Sequence, residues 1–248
     1  MLKRMVVWLE IYLGICLLFV SASFVFAQES EKAQKGFNPE AFDHYVNGDL
    51  YELSMDFHSA LAEYQKAVAL QPDIRELRYS LALAFLATKD VESAKQQALQ
   101  IQPKNAKTYQ LLGECYRAVG QDDSALQAYS QAVEQDSTDV NSLWPLAVLY
   151  QLSNDINQAI RYWKMVADLQ TFSPAVHLQL AILLFQAKQL EDAASEYNKV
   201  LDLQPDNQKS LYGLAEVYEA KNDTTQAIEL YRRYLKLDPA KIGRATCR

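Results

Sequence analysis

Residues 106–139, AKTYQLLGECYRAVGQDDSALQAYSQAVEQDSTD, decide the fold. They read as two short amphipathic helices joined by a tight turn at Gly120-Gln121-Asp122. In the first helix, Leu112, Gly113 and Tyr116 fall at spacings that place them on one face, and in the second Ala125, Ala128, Tyr129 and Ala132 do the same. The same pattern returns on both sides of this stretch. A small residue in each second helix marks the register: Ala60, Ala94, Ala125, Ala159, Ala193 and Ala227, at successive spacings of 34, 31, 34, 34 and 34. The first helices carry a second small series with the same spacings, Gly48, Ala82, Gly113, Ala147, Ala181 and Ala215. Three residues beyond each of these stands a large apolar group: Tyr51, Phe85, Tyr116, Tyr150, Leu184 and Tyr218. A further series, Tyr64, Tyr129, Trp163, Tyr197 and Tyr231, is aromatic, and Pro72, Pro103, Pro205 and Pro239 close four of six units, with Ser137 and Thr171 at the other two.

Together these series resemble the tetratricopeptide repeat, whose signature runs Trp-x2-Leu-Gly-x2-Tyr, then Ala, then Phe and Ala, then Pro. The Trp position departs from the family, being filled by His44, Arg78, Tyr109, Leu143, His177 and Leu211. The resemblance implies an all-α fold: an α-solenoid of six helix–turn–helix repeats (41–74, 75–105, 106–139, 140–173, 174–207 and 208–240) forming a right-handed superhelix with a concave inner face. In this reading the Gly or Ala of the first helix lets the partner helix approach, and the aromatics fill the space between neighbouring units. Proline after a second helix stops it.

Three irregularities carry expectations. From Ala94 to Pro103 is nine residues, where Ala60 to Pro72 is twelve. Nearly one helical turn and the expected aromatic are therefore missing from AKQQALQIQP (94–103), which predicts a local change of twist between units two and three. Pro145 is expected in the first turn of its helix, with Asn141 or Ser142 as the cap; a start at Asp139 would instead put it in the interior. The last helix carries Ile228, Leu230, Tyr231, Tyr234, Leu235 and Leu237, more apolar surface than one neighbour covers. Only residues 240–248 follow Pro239, so either the array continues in another subunit by self-association, or the chain is a piece of a longer protein.

The first 27 residues differ from the rest. Lys3 and Arg4 precede an apolar run over 11–20, and Val25-Phe26-Ala27 is an acceptable export-cleavage site before Gln28. The alternative is a membrane anchor over 5–27, within which Glu10 is costly. Residues 28–40 read as a polar linker, and 241–248 as a short tail. The expected location is exported, periplasmic or extracytoplasmic. The chain has a net charge of −7, and removing the leader, which carries +1, leaves −8. Such acidity disfavours nucleic acid and anionic membrane surfaces as partners, leaving membrane contact only through an uncleaved leader. Cys16, Cys115 and Cys247 are isolated and form no disulfide framework.

No catalytic or metal constellation stands out. His44, His58 and His177 lack partners at metal-ligand spacing, and His44 and His177 share one repeat position, which argues for structural equivalence. No Gly-rich phosphate loop, G-x-S-x-G or Cys-x-x-Cys occurs, so neither enzyme activity nor a cofactor is expected. The family resemblance implies protein or peptide partners lying against the first helices. Mapped onto this chain, that face is Tyr45, Asp49 and Glu52; Tyr79 and Leu83; Gln110, Glu114 and Arg117; Trp144, Val148 and Gln151; Leu178, Ile182 and Phe185; and Tyr212, Glu216 and Glu219. It is aromatic and aliphatic in the middle and acidic towards both ends, suiting a segment with apolar anchors and basic flanks, with Tyr79, Trp144 and Phe185 as candidate anchors. Arg117 and Lys107 are the only basic candidates centrally, so the family's clamp for a chaperone C-terminal carboxylate is not expected. The function this implies is an interaction scaffold of the cell envelope. The alternatives are an accessory module of a larger enzyme or sensor, and carbohydrate or lipid capture by the aromatic face.

Overall fold

The computed structural model describes residues 38–237; the leader, most of the linker, Pro239 and the tail lie outside them. Twelve α-helices and no strand occupy the described residues. They form six pairs: α1 (Pro39–Leu53) with α2 (Phe57–Leu70), α3 (Arg75–Ala87) with α4 (Val91–Gln100), and α5 (Ala106–Ala118) with α6 (Asp122–Gln135). Then follow α7 (Val140–Leu152) with α8 (Ile156–Leu169), α9 (Pro174–Gln186) with α10 (Leu190–Leu203), and α11 (Gln208–Ala220) with α12 (Thr224–Leu237). This is the six-repeat α-solenoid architecture that the spacings imply.

The turn inside each pair has one construction. A residue in the left-handed region follows the first helix: Met55, Lys89, Gly120, Asn154, Lys188 and Asn222, with φ between 59° and 73°. Two residues or fewer beyond it the next helix starts, in four pairs on an aspartate cap. Asp56, Asp90, Asp155 and Asp223 accept from the backbone N–H groups of Ser59, Ser93, Gln158 and Gln226. Only Gly120 takes the left-handed conformation without a Cβ penalty. The other five are held there by their neighbours: in each, the aspartate or glutamine that follows donates its N–H back to a carbonyl of the first helix, as Asp56 does to Tyr51 (2.9 Å).

The chain divides into two compact units, Met1–Ile101 and Gln102–Arg248. In the described part of the first, Tyr64, Leu77, Leu81 and Ala84 form a small core across α2 and α3. Its last helix, α4, has ten residues where the other second helices have fourteen, matching the missing turn in 94–103. In the second unit a single core runs from Ala125 to Leu230, with Trp163 and Tyr129 its largest fully enclosed side chains and Leu143, Leu146, Leu180 and Leu184 enclosed beside them. All six alanines of the second-helix series are buried, and so are all six small residues of the first-helix series. Cys115 is buried in the same way.

Two details differ from the sequence reading. Helix α7 begins at Val140 on Asp139, so Pro145 is its sixth residue and lies in the interior. Asp139 wins as the cap because its carboxylate accepts both the Asn141 N–H (3.1 Å) and the Ser142 hydroxyl (2.6 Å). The second concerns the glycines. At Gly48 and Gly113 the close neighbour is the aromatic ring of the same unit, Tyr64 or Tyr129, rather than helix backbone or the next unit. A Cβ on Gly113 would stand 2.8 Å from Tyr129 Cδ1, and that ring is fully enclosed. Gly113→Ala is therefore expected to destabilise the chain by about 1–2 kcal/mol, although alanine favours helix by about 1 kcal/mol. Urea midpoints compared between the single variant and Gly113→Ala in a Tyr129→Leu background check this; a penalty unchanged by removing the ring would refute the contact.

Candidate functional site

The first-helix face is set by the repeat register, because residues four and seven apart on one helix share a side. In the unit ending at Ile101, Tyr45 is half-buried with its ring centroid 5.9 Å from that of Tyr64. The Tyr64 hydroxyl lies 2.7 Å from Asp49 Oδ1 and 2.9 Å from Glu52 Oε2, and donates its single proton between them. Burial and these two carboxylates push the Tyr64 phenol far above its ordinary range. Tyr79 and Leu83 are half-buried.

The other twelve residues of the face lie in the unit from Gln102 onward. Gln110 donates its amide to Glu114 (3.0 Å), and Arg117 is exposed. Trp144 stands edge-on to Trp163, centroids 4.9 Å apart. With Val148, Gln151, Leu152, Trp163 and Gln179 it lines an open cleft of ≈ 260 Å³ between α7, α8 and α9. Leu178, Ile182 and Phe185 are half-buried against the core. Tyr212 is exposed, Glu216 half-buried and Glu219 exposed. Of the three candidate anchors none is freely exposed; each is half-buried, Trp144 and Phe185 against the core of the second unit. Leu152, Trp163 and Gln179 belong to the cleft although the register alone does not select them. Leu152 is 73% exposed at the end of α7, where only the structure shows that nothing covers it.

A buried polar cluster lies elsewhere, in α9 and α10. His177 Nδ1 meets Glu196 Oε2 at 2.6 Å, Lys199 donates to Glu196 Oε1 at 2.7 Å, and His177 Nε2 meets the Thr171 carbonyl at 2.9 Å. His44, Glu63 and Lys66 repeat the side-chain part of this arrangement, with His44 Nδ1 and Glu63 Oε2 also 2.6 Å apart. Lys66 and then His44 hold the Glu63 carboxyl below its ordinary value. Arg78, at the same repeat position, reaches Gln97 (2.9 Å) and the Pro72 carbonyl (2.6 Å). Polar residues at the family's Trp position thus bond to the residue nineteen further on, a spacing that two isolated histidines do not announce. Among the described residues no group of three or more His, Cys, Asp or Glu could hold a metal ion. None of the described helices is long and apolar enough to cross a membrane.

The sequence model of the tetratricopeptide repeat matches residues 47–106, 147–208 and 178–242, and a second model of the same repeat matches 96–127. The chain belongs to the tetratricopeptide repeat family. Tetratricopeptide repeat protein 8 of Caenorhabditis elegans is 20% identical over 143 residues, 57% of this chain and 28% of that protein. Human protein O-mannosyl-transferase TMTC1 is 25% identical over 177 residues, 68% of this chain and 20% of that protein. The chain therefore spans less than a third of the length of either relative. Among solved structures, the C-terminal part of a repeat-containing protein from Cytophaga hutchinsonii superposes with a TM-score of 0.64 at 17% identity, covering 79% of this chain and 80% of that one. YrrB, described as having an unusual peptide-binding site, superposes with a TM-score of 0.59 at 18% identity, covering 73% of this chain and 95% of that one. At these identities the likeness is one of fold. The tetratricopeptide fold is in general a scaffold for protein–protein interaction and is typically not itself catalytic.

Proposed function

We propose that this chain is a non-enzymatic scaffold of the cell envelope that holds a segment of a partner protein against its first helices. The observation that carries this reading is the run of half-buried apolar side chains on α7 and α9, Trp144, Val148, Leu178, Ile182 and Phe185, beside the cleft at Trp144. Such side chains are braced from below and open above, the condition in which an aromatic contributes most to an interface. The basic and apolar leader with Val25-Phe26-Ala27 supports export. Retention of a cognate partner from envelope extract is expected to fall at least about tenfold for the Trp144→Ala/Phe185→Ala chain, with helicity by circular dichroism unchanged. Equal retention by both chains would refute the groove; recovery of the protein only in the cytosolic fraction would refute the location.

A second reading, a module of a larger enzyme or sensor, is supported by how much longer the two relatives are. A continuous polypeptide carrying a catalytic domain beside these repeats would decide for it.

A further inference from the structure

The last repeat carries a surface that the apolar groove does not explain. Tyr212 is 42% exposed, and its ring meets those of Tyr231 (5.7 Å, 62°) and Tyr234 (5.5 Å, 57°). Glu216 and Glu219 follow Tyr212 by four and seven residues, so all three share one side of α11. The Tyr231 hydroxyl donates to Glu219 Oε2 (3.0 Å) and fixes that carboxylate at the rim of the rings. Among the described residues neither carboxylate lies within ion-pair distance of a cation; Lys221 goes instead to Glu191 (3.5 Å), and Arg233 to the Pro205 carbonyl (3.2 Å). The charge of Glu216 and its hydrogen bond with Tyr212 push the Tyr212 phenol above its ordinary range.

Register separates this arrangement from an accident of the repeat. The first repeat holds tyrosines and carboxylates at the same four positions, Tyr45, Asp49, Glu52 and Tyr64. Repeats two, four and five place no carboxylate there, and the third sets Arg117 beside Glu114. Ring faces and carboxylates share one preference: both attract a cation, and rings that carry an apolar side chain would gain nothing from the two charges.

We propose that the tyrosine–carboxylate face of α11 and α12 docks a lysine or arginine side chain of the partner segment whose apolar residue lies over Ile182 and Phe185. This rests on the groove reading above and names the chemistry of its occupant. Neighbouring helices lie about 8–10 Å apart, which an extended chain crosses in about three residues, so the apolar and basic residues should stand about three positions apart.

The test is a random peptide library displayed on phage and selected on the full chain, followed by affinities of labelled synthetic peptides. The expected consensus is an aromatic or aliphatic residue with Lys or Arg about three positions away. Replacing the basic residue by Gln in the peptide, or using E216Q/E219Q protein, should weaken binding about five- to tenfold. The two losses should not add, and raising salt from about 0.05 to about 0.5 M should remove the same increment. Tyr212→Phe should keep the preference, and Tyr212→Ala should reduce it. An apolar consensus without basic residues, or one indifferent to E216Q/E219Q, would overturn this proposal and leave the groove standing. A library that yields no binder would overturn both. Basic selection that emerges only after residues 238–248 are removed would assign the face to the chain's own Lys241, Arg244 or Arg248 instead.

Discussion

Trp163→Ala is expected to lower the unfolding free energy by about 3–5 kcal/mol, the range for truncating a large enclosed aromatic. Trp163 is 1% exposed and is the largest fully buried side chain of the second unit. It meets Trp144 edge-on and lies in the core that joins α7, α8 and α9. The alternatives to a cavity are poor here. Leu143, Leu146 and Ala147 are each fully enclosed, so they have no slack with which to collapse into the space. The indole also keeps its Nε1–H buried without an acceptor. Trp163→Phe removes that unpaired donor together with some apolar area, and is therefore expected to cost less than about half as much. Because each repeat contacts its neighbours only, the loss should appear first as faster amide exchange in α7 to α9 and last in α12. Urea unfolding followed by circular dichroism, with hydrogen exchange, checks both parts. A loss under about 1 kcal/mol would mean that the ring is not a core element.

The architecture was legible because a repeat states its packing rule six times. One helix with alanine at two helical spacings is ambiguous, but the buried series Ala60 to Ala227 leaves one arrangement that encloses them all. What stayed hidden depended on contacts across helices. Met55, Lys89 and Lys188 give no sign of a left-handed backbone, since glycine or asparagine usually marks it; the closing hydrogen bonds outweigh an intrinsic cost of about 1 kcal/mol. The Pro145 position turned on whether Asp139, Asn141 or Ser142 capped α7, and the two bonds to Asp139 cannot be counted from sequence. For the groove, the composition of the first-helix face was readable and its exposure was not. Trp144 is half-buried because another tryptophan, Trp163, lies beneath it, a pairing made by positions nineteen apart on different helices. The same interval hid the partner of His177.

That interval supports the second large effect. His177→Leu and Glu196→Leu, each alone, are expected to destabilise the chain by about 2–4 kcal/mol, while the double variant stays within about 1 kcal/mol of the parent. The ring is 3% exposed, and both its nitrogens face acceptors: the Thr171 carbonyl at 2.9 Å, which fixes a hydrogen on Nε2, and Glu196 Oε2 at 2.6 Å. A proton therefore lies between Nδ1 and the carboxylate whichever group holds it. Remove the ring, and a nearly buried carboxylate keeps Lys199 alone, while the Thr171 carbonyl loses its donor. Remove the carboxylate, and Nδ1 faces leucine. The cost is held below that of a dry ion pair because the Lys199 ammonium is half in water. The double variant has a precedent inside this chain. Leu211 and Leu230 occupy the same two positions one repeat later, both buried and both apolar, so the scaffold already accepts a leucine pair there. A double-mutant cycle on urea midpoints decides the matter: strong positive coupling means that the cluster is an isolated polar exchange for that pair, whereas additive losses would mean that each side chain is held by contacts other than the other.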